Sequence, residues 1–203
     1  MNHNFKDVDF KNNIFAYPDL TRIIGEPTTA SLITLQNEVK ANAQAVHTTL
    51  GGGEHGHIGL VCSPATHATL VPGNTPYTKP PNPGRLIIDG TETQYQIAQR
   101  RDEHEEALQL FQECLGVERA LIQQIVAAIK PKYLKALRNS VTNKIVQSIP
   151  AIFTYLFETY GDVTPQELRQ LTAQVEQLNF PPNEPVNTLF TEIDDLATIA
   201  KLA

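Results

Sequence analysis

VERALIQQIVAAIKP, Val117 to Pro131, carries Leu121, Ile122, Ile125, Val126 and Ile129 on a face too wide for an ordinary surface helix. Such a stripe must be covered from more than one side. The spacing therefore predicts the central core helix of a helical protein, stopped or kinked by Pro131. Upstream, the run through Asp102, Glu103, Glu105 and Glu106 is a solvated face leading into Leu108, Phe111 and Leu115. Gly116 reads as the end of that helix. Thr91 and Gln94 have the spacing of a capping box at its start.

Nearer the N-terminus, Leu32, Leu35, Val39, Ala43 and Val46 recur at helical intervals and predict a helix over about 29–48, started by Pro27, Thr28 and Thr29. Ser63 followed by Pro64 is an N-cap and first helical position, opening a short helix to Leu70. Five prolines between Pro72 and Pro83 then allow no regular element, which predicts a long Pro-rich loop. Beyond Pro131, Tyr133, Leu134 and Leu137 suggest a shorter helix. Ser148 and Pro150 restart the chain into Ile152, Phe153, Leu156, Phe157 and Tyr160, closed by Gly161. Thr164, Pro165 and Glu167 form a further helix start, followed by Leu168, Leu171, Val175 and Leu178. After FPPNEP a last helix carries Val186, Leu189, Phe190, Ile193, Leu196 and Ile199. Phe153, Leu156, Phe157 and Tyr160 are expected to meet Leu168, Leu171, Phe190 and Ile193, because short amphipathic helices bury their stripes against each other or against a partner. No segment reads as a sheet, so the fold class is all-α. Residues 1–17 hold Phe5, Phe10 and Phe15 without a helical period and read as a loosely structured N-terminal arm.

The chain has 203 residues and a formal net charge of -6, an ordinary balance that excludes a protein built as a whole to coat nucleic acid. Cys62 and Cys114 are the only cysteines, too few for a disulfide framework or a zinc knuckle. The polar start MNHNFKDVDFKNN is no signal peptide, and no apolar run approaches the roughly 20 residues of a membrane span. The expectation is a cytoplasmic protein with no membrane partner.

The most unusual stretch is TLGGGEHGHIGLV, Thr49 to Val61. A phosphate cradle, a metal site and a turn are the three readings. Gly51, Gly52 and Gly53 lack the lysine and hydroxyl of a Walker loop and follow a helix, where a dinucleotide fingerprint follows a strand. His55 and His57 beside Glu54 lack the remaining ligands of a zinc framework. The simplest account is a structural loop in which Gly51 or a neighbour ends the first helix in the left-handed conformation. No nucleophile with a base nearby in sequence stands out, so no catalytic residue, metal, cofactor or small-molecule substrate is expected. One charge pattern is distinctive. Between Glu118 and Glu158 there is no acidic residue, whereas Arg119, Lys130, Lys132, Lys135, Arg138 and Lys144 are basic. Either a solvated helix pair or a surface facing a polyanion would produce it.

The blocks PDLTRIIGEPTTASLITLQNEVKANAQAV, TLGGGEHGHIGLV, HEEALQLFQECLGVERALIQQIVAAIKPKYLKALRN and LFETYGDVTPQEL together resemble the Gag polyprotein, in its capsid region, of copia-type long-terminal-repeat retrotransposons, particularly elements of algae and oomycetes. The likeness runs from about Pro18 to the C-terminus. In the wider pattern of such proteins a tryptophan-bearing helix matches Ile149 to Tyr160, with Phe153 in the tryptophan's place. The resemblance implies a two-lobed helical capsid protein that self-assembles into virus-like particles around the element's RNA, with an arm at 1–17, an N-terminal lobe at 18–147 and an incomplete C-terminal lobe at 148–203. Its partners would be further copies of itself and RNA, held weakly through the basic patch. A Gag-derived host adaptor or regulator that forms no shell is the alternative.

Overall fold

The computed structural model describes residues 9–162, apart from Pro72 and Asn74, together with Arg169, Ala173 and Ala197. Among the described residues the α-helices are α1 (Phe10–Asn13), α2 (Thr29–Ala45), α3 (Pro64–Leu70), α4 (Gln94–Ala128) and α5 (Ile149–Tyr160). Short 3₁₀ turns lie at Leu50–Gly52, Ile58–Leu60 and Pro131–Leu137; the last of these replaces the short helix expected there. The described residues contain no strand, and an isolated bridge joins Arg138 to Ile145. They are all-α.

Local chemistry starts most of these helices. Thr28 Oγ1 accepts from the Ser31 N–H at 3.3 Å and Ser31 Oγ accepts from the Thr28 N–H at 2.9 Å, a capping box with serine in the usual glutamate position. Ser63 and Ser148 cap α3 and α5, each with proline in the first turn, as the sequence predicts. α4 begins two residues later than expected, because Thr93 and Gln96 form the reciprocal cap. The Thr91 N–H instead meets the Asp89 carboxylate, which fixes a turn there.

Gly116 does not end a helix. α4 runs unbroken for 35 residues, about 50 Å at 1.5 Å per residue. Cys114, Val117, Leu121, Ile125 and Ala128 are buried along one stripe that crosses Gly116 without losing register. A break there would swing Cys114 and Val117 out of the core, a larger loss than the ~1 kcal/mol a helical glycine costs.

One buried cluster joins α2, the second half of α4 and α5, with Leu32, Leu35, Val39, Leu121, Ile125, Leu134, Ile149, Ile152, Phe153 and Leu156 at its centre. α5, expected to open the second lobe, shares this cluster with α2 and α4. The arm also differs from expectation. Phe10 and Phe15 are 5 % exposed and lie with ring centroids 6.3 Å apart in the same core. Buried polar side chains hold the segment down: Asn42 exchanges bonds with the Tyr17 N–H and carbonyl, Gln124 donates to the Tyr17 and Pro18 carbonyls, and Glu38 accepts from Thr21. The Ile23 N–H reaches the Ala128 carbonyl at the end of α4. Phe5, Thr164 to Leu168, Leu171, Phe190 and Ile193 lie outside the described residues.

Candidate functional site

The glycine-rich loop is built around the end of α2, though not by the triple glycine. α2 stops at Ala45 as Val46 turns extended and buried, five residues before Gly51. Gly56 closes the end instead: a Cβ there would lie 2.5 Å from the Gln44 and Val46 carbonyl oxygens, and the His57 N–H donates to the Ala43 carbonyl at 2.9 Å. The expectation that Gly51 or a neighbour caps the helix is corrected accordingly, since the Ala43 carbonyl is met by a residue returning from the far side of the loop.

Gly51 and Gly59 have another task. A Cβ at Gly59 would fall 2.1 Å from the Tyr77 ring, and one at Gly51 would fall 2.9 Å from the His67 ring, which itself lies 5.8 Å from Tyr77 between centroids. The loop is a socket, and Tyr77 from the proline-rich strap fills it.

At the bottom of the socket His57 is fully buried between two partners. Its Nε2 lies 2.8 Å from the Glu113 carboxylate and its Nδ1 2.8 Å from the Tyr77 hydroxyl, which lies 3.6 Å from Cys114 Sγ. In the tautomer that satisfies all four groups, Nε2–H donates to Glu113, the Tyr77 hydroxyl donates to Nδ1, and the thiol donates to the Tyr77 oxygen. Burial, then the neighbouring Cys114, then Glu113 and Glu118 push the Tyr77 phenol well above its ordinary range. Burial raises the Cys114 thiol too, outweighing Tyr77 and Lys79, which pull it down. Both groups are held protonated. A protonated buried thiol is a poor nucleophile, and the bonds tie the strap to α4 through His57.

His55 points elsewhere, its Nε2 3.1 Å from the Leu70 carbonyl, so the two histidines do not converge on one point. Among the described residues no group of three or more His, Cys, Asp or Glu could hold a metal ion. Sequence reasoning singled out His57 but missed Tyr77, Glu113, Cys114 and His67 as its surroundings. A signal existed for Tyr77 alone: a large aromatic within a proline run that forms no regular element needs a socket.

The basic segment lies at the C-terminal end of α4 and beyond. Arg119, Lys130, Lys132, Lys135 and Lys144 are exposed and Arg138 is half-buried, and among the described residues none pairs with a carboxylate. Arg119 lies on α4, and Lys130 lies beyond its end, where the backbone has turned extended. Lys132 Nζ sits 4.4 Å from the Tyr133 ring centroid, and its pKa is raised first by the hydrogen bond to Tyr133 and lastly by the charge of Glu26. Arg138 is committed elsewhere, donating to the Asn143 carbonyl across the loop closed by the Arg138–Ile145 bridge. Three lysines on one exposed turn form the centre of the patch.

In α5, Phe153 and Leu156 are buried, whereas Phe157 and Tyr160 are half-buried at the edge. Tyr160 meets Tyr133 edge-on at 5.3 Å. No helix among the described residues is long and apolar enough to cross a membrane. No protein family, curated protein or solved structure matches the chain in comparisons with known proteins.

Proposed function

We propose that the chain is a structural protein of the Gag capsid class, which self-assembles into cytoplasmic virus-like particles and holds RNA through Lys130, Lys132 and Lys135. The observation that carries this reading is charge segregation. In a chain of net charge -6, one continuous carboxylate-free segment presents exposed lysines that pair with no carboxylate among the described residues, which are all-α. Such a patch attracts phosphates by charge and counterion release without reading sequence. One subunit offers few charges and binds weakly, and many copies lining a shell multiply the effect. In a two-lobed protein of this kind the second lobe would begin beyond α5, because α5 belongs to the first core.

The test is negative-stain microscopy of the purified chain at high salt, then the ratio of nucleic-acid to protein absorbance in purified particles. Replacing Lys130, Lys132 and Lys135 by glutamine should leave assembly intact while lowering that ratio and flattening the salt dependence of RNA retention. Arg138 is left in place because it braces its own loop. Particles with an unchanged ratio would make the lysines a solvated face. A chain that forms no particle at any salt concentration would favour the adaptor.

A further inference from the structure

The first half of α4 stands clear of the core: from Gln94 to Leu110 no residue is buried. Along it Ile97, Arg101, Glu105 and Leu108 follow at intervals of four, four and three, so they line one face. Ile97 and Leu108 are half-buried, Arg101 and Glu105 are exposed, and neither charge has an ion-pair partner among the described residues. The neighbouring face is already occupied. Arg100 bonds Glu92 and the Ile87 carbonyl, and His104 lies 3.1 Å from the Gly84 carbonyl, so the strap covers that side beside Ile97 and Leu108 and, among the described residues, bonds neither Arg101 nor Glu105.

We propose that this stripe is the docking surface for a second copy of the chain, α4 against α4 and antiparallel about a two-fold axis midway between Arg101 and Glu105. The stripe is complementary to itself in that orientation alone. Reversal places Arg101 opposite the partner's Glu105 and Glu105 opposite the partner's Arg101, while Ile97 meets the partner's Leu108 on each side. A parallel arrangement in register would set like charges against each other. The contact is isologous and closes on itself. Two half-exposed apolar pairs and two exposed ion pairs make a small, weak interface, one that gains strength when repeated through an assembly. The inference rests on the self-assembly reading and adds the surface that performs it.

Sedimentation velocity of the full chain at low salt, over a range of concentrations, tests it. The wild type should shift reversibly towards dimer as concentration rises. Arg101→Glu and Glu105→Arg should each weaken the dimer about tenfold or more with unchanged helical circular dichroism, since each sets two like-charge contacts across the axis. Mixing the two single variants should restore pairing, because one then presents two acids and the other two bases, and the double variant R101E/E105R should pair with itself. A wild type that associates while the reversals change nothing, or while mixing fails to rescue, overturns the α4 surface and leaves self-assembly standing. A wild type that is monomeric at every concentration and forms no particle overturns both.

Discussion

Among single residues, Tyr77 carries more of the structure than any residue around it in the strap. Its ring rests on Gly59, and its hydroxyl completes the buried chain from Glu113 through His57 to Cys114. Tyr77→Phe keeps the ring and strands His57 Nδ1 in the interior, a loss of about 1–3 kcal/mol that urea unfolding would register. An unchanged midpoint would mean that the hydroxyl bonds contribute nothing. Gly59→Ala should destabilise the wild type through the 2.1 Å approach to that ring and do much less in a Tyr77→Ala background, so the coupling in a double-mutant cycle measures the socket directly. The two histidines, equivalent in the sequence, should separate. His57→Ala removes a buried partner of Glu113 and Tyr77, whereas His55→Ala touches one exposed carbonyl contact and should stay within ~0.5 kcal/mol. That the glycine run forms a turn was legible, but what it accommodates was not, because the ring comes from a residue well downstream.

At the level of elements, the caps and the proline breaks were nearly all readable, since each depends on atoms within three or four residues. The Ser63 and Ser148 starts agree with the sequence to the residue, and Thr28 is one of the three residues that the sequence offers to start α2. The exception at α4 is informative. Thr91-Gln94 and Thr93-Gln96 have the same spacing, and the Asp89 turn decides between them. Thr93→Ala should cost about 1 kcal/mol and Thr91→Ala little, and equal losses would show that the cap alternates between the two frames. Gly116→Ala should raise stability by about 0.5–1 kcal/mol, because the glycine lies in continuous helix; had it been a left-handed helix end, the same change would destabilise.

For the molecule as a whole, the decisive fact is one core shared by the arm, α2, α4 and α5. Phe153→Ala should therefore cost about 3–5 kcal/mol and move the transition of the entire body, while Phe157→Ala, at the half-buried edge, costs less. Separate α4 and α5 transitions in calorimetry would contradict a single core. Stability should also fall at alkaline pH. Burial raises the Cys62 and Cys114 thiols above the ordinary 9.0, so the folded chain holds these protons more tightly than the unfolded one. That contribution is complete below pH 9.0 and is lost as the pH climbs from the ordinary value through the folded ones. Urea midpoints between about pH 8 and about pH 10 would check it, and a flat profile would place the thiols in solvent. Local signals were enough for the all-α class of the described residues, the bounds of α3 and α5 and the apolar faces, because capping, glycine and proline geometry and 3.6-residue periodicity are local. Only the tertiary structure decided which polar residues go inside. His57 with Glu113 and Asn42 with Gln124 are 56 and 82 residues apart in sequence, and burial of a polar group depends on what the rest of the chain places around it.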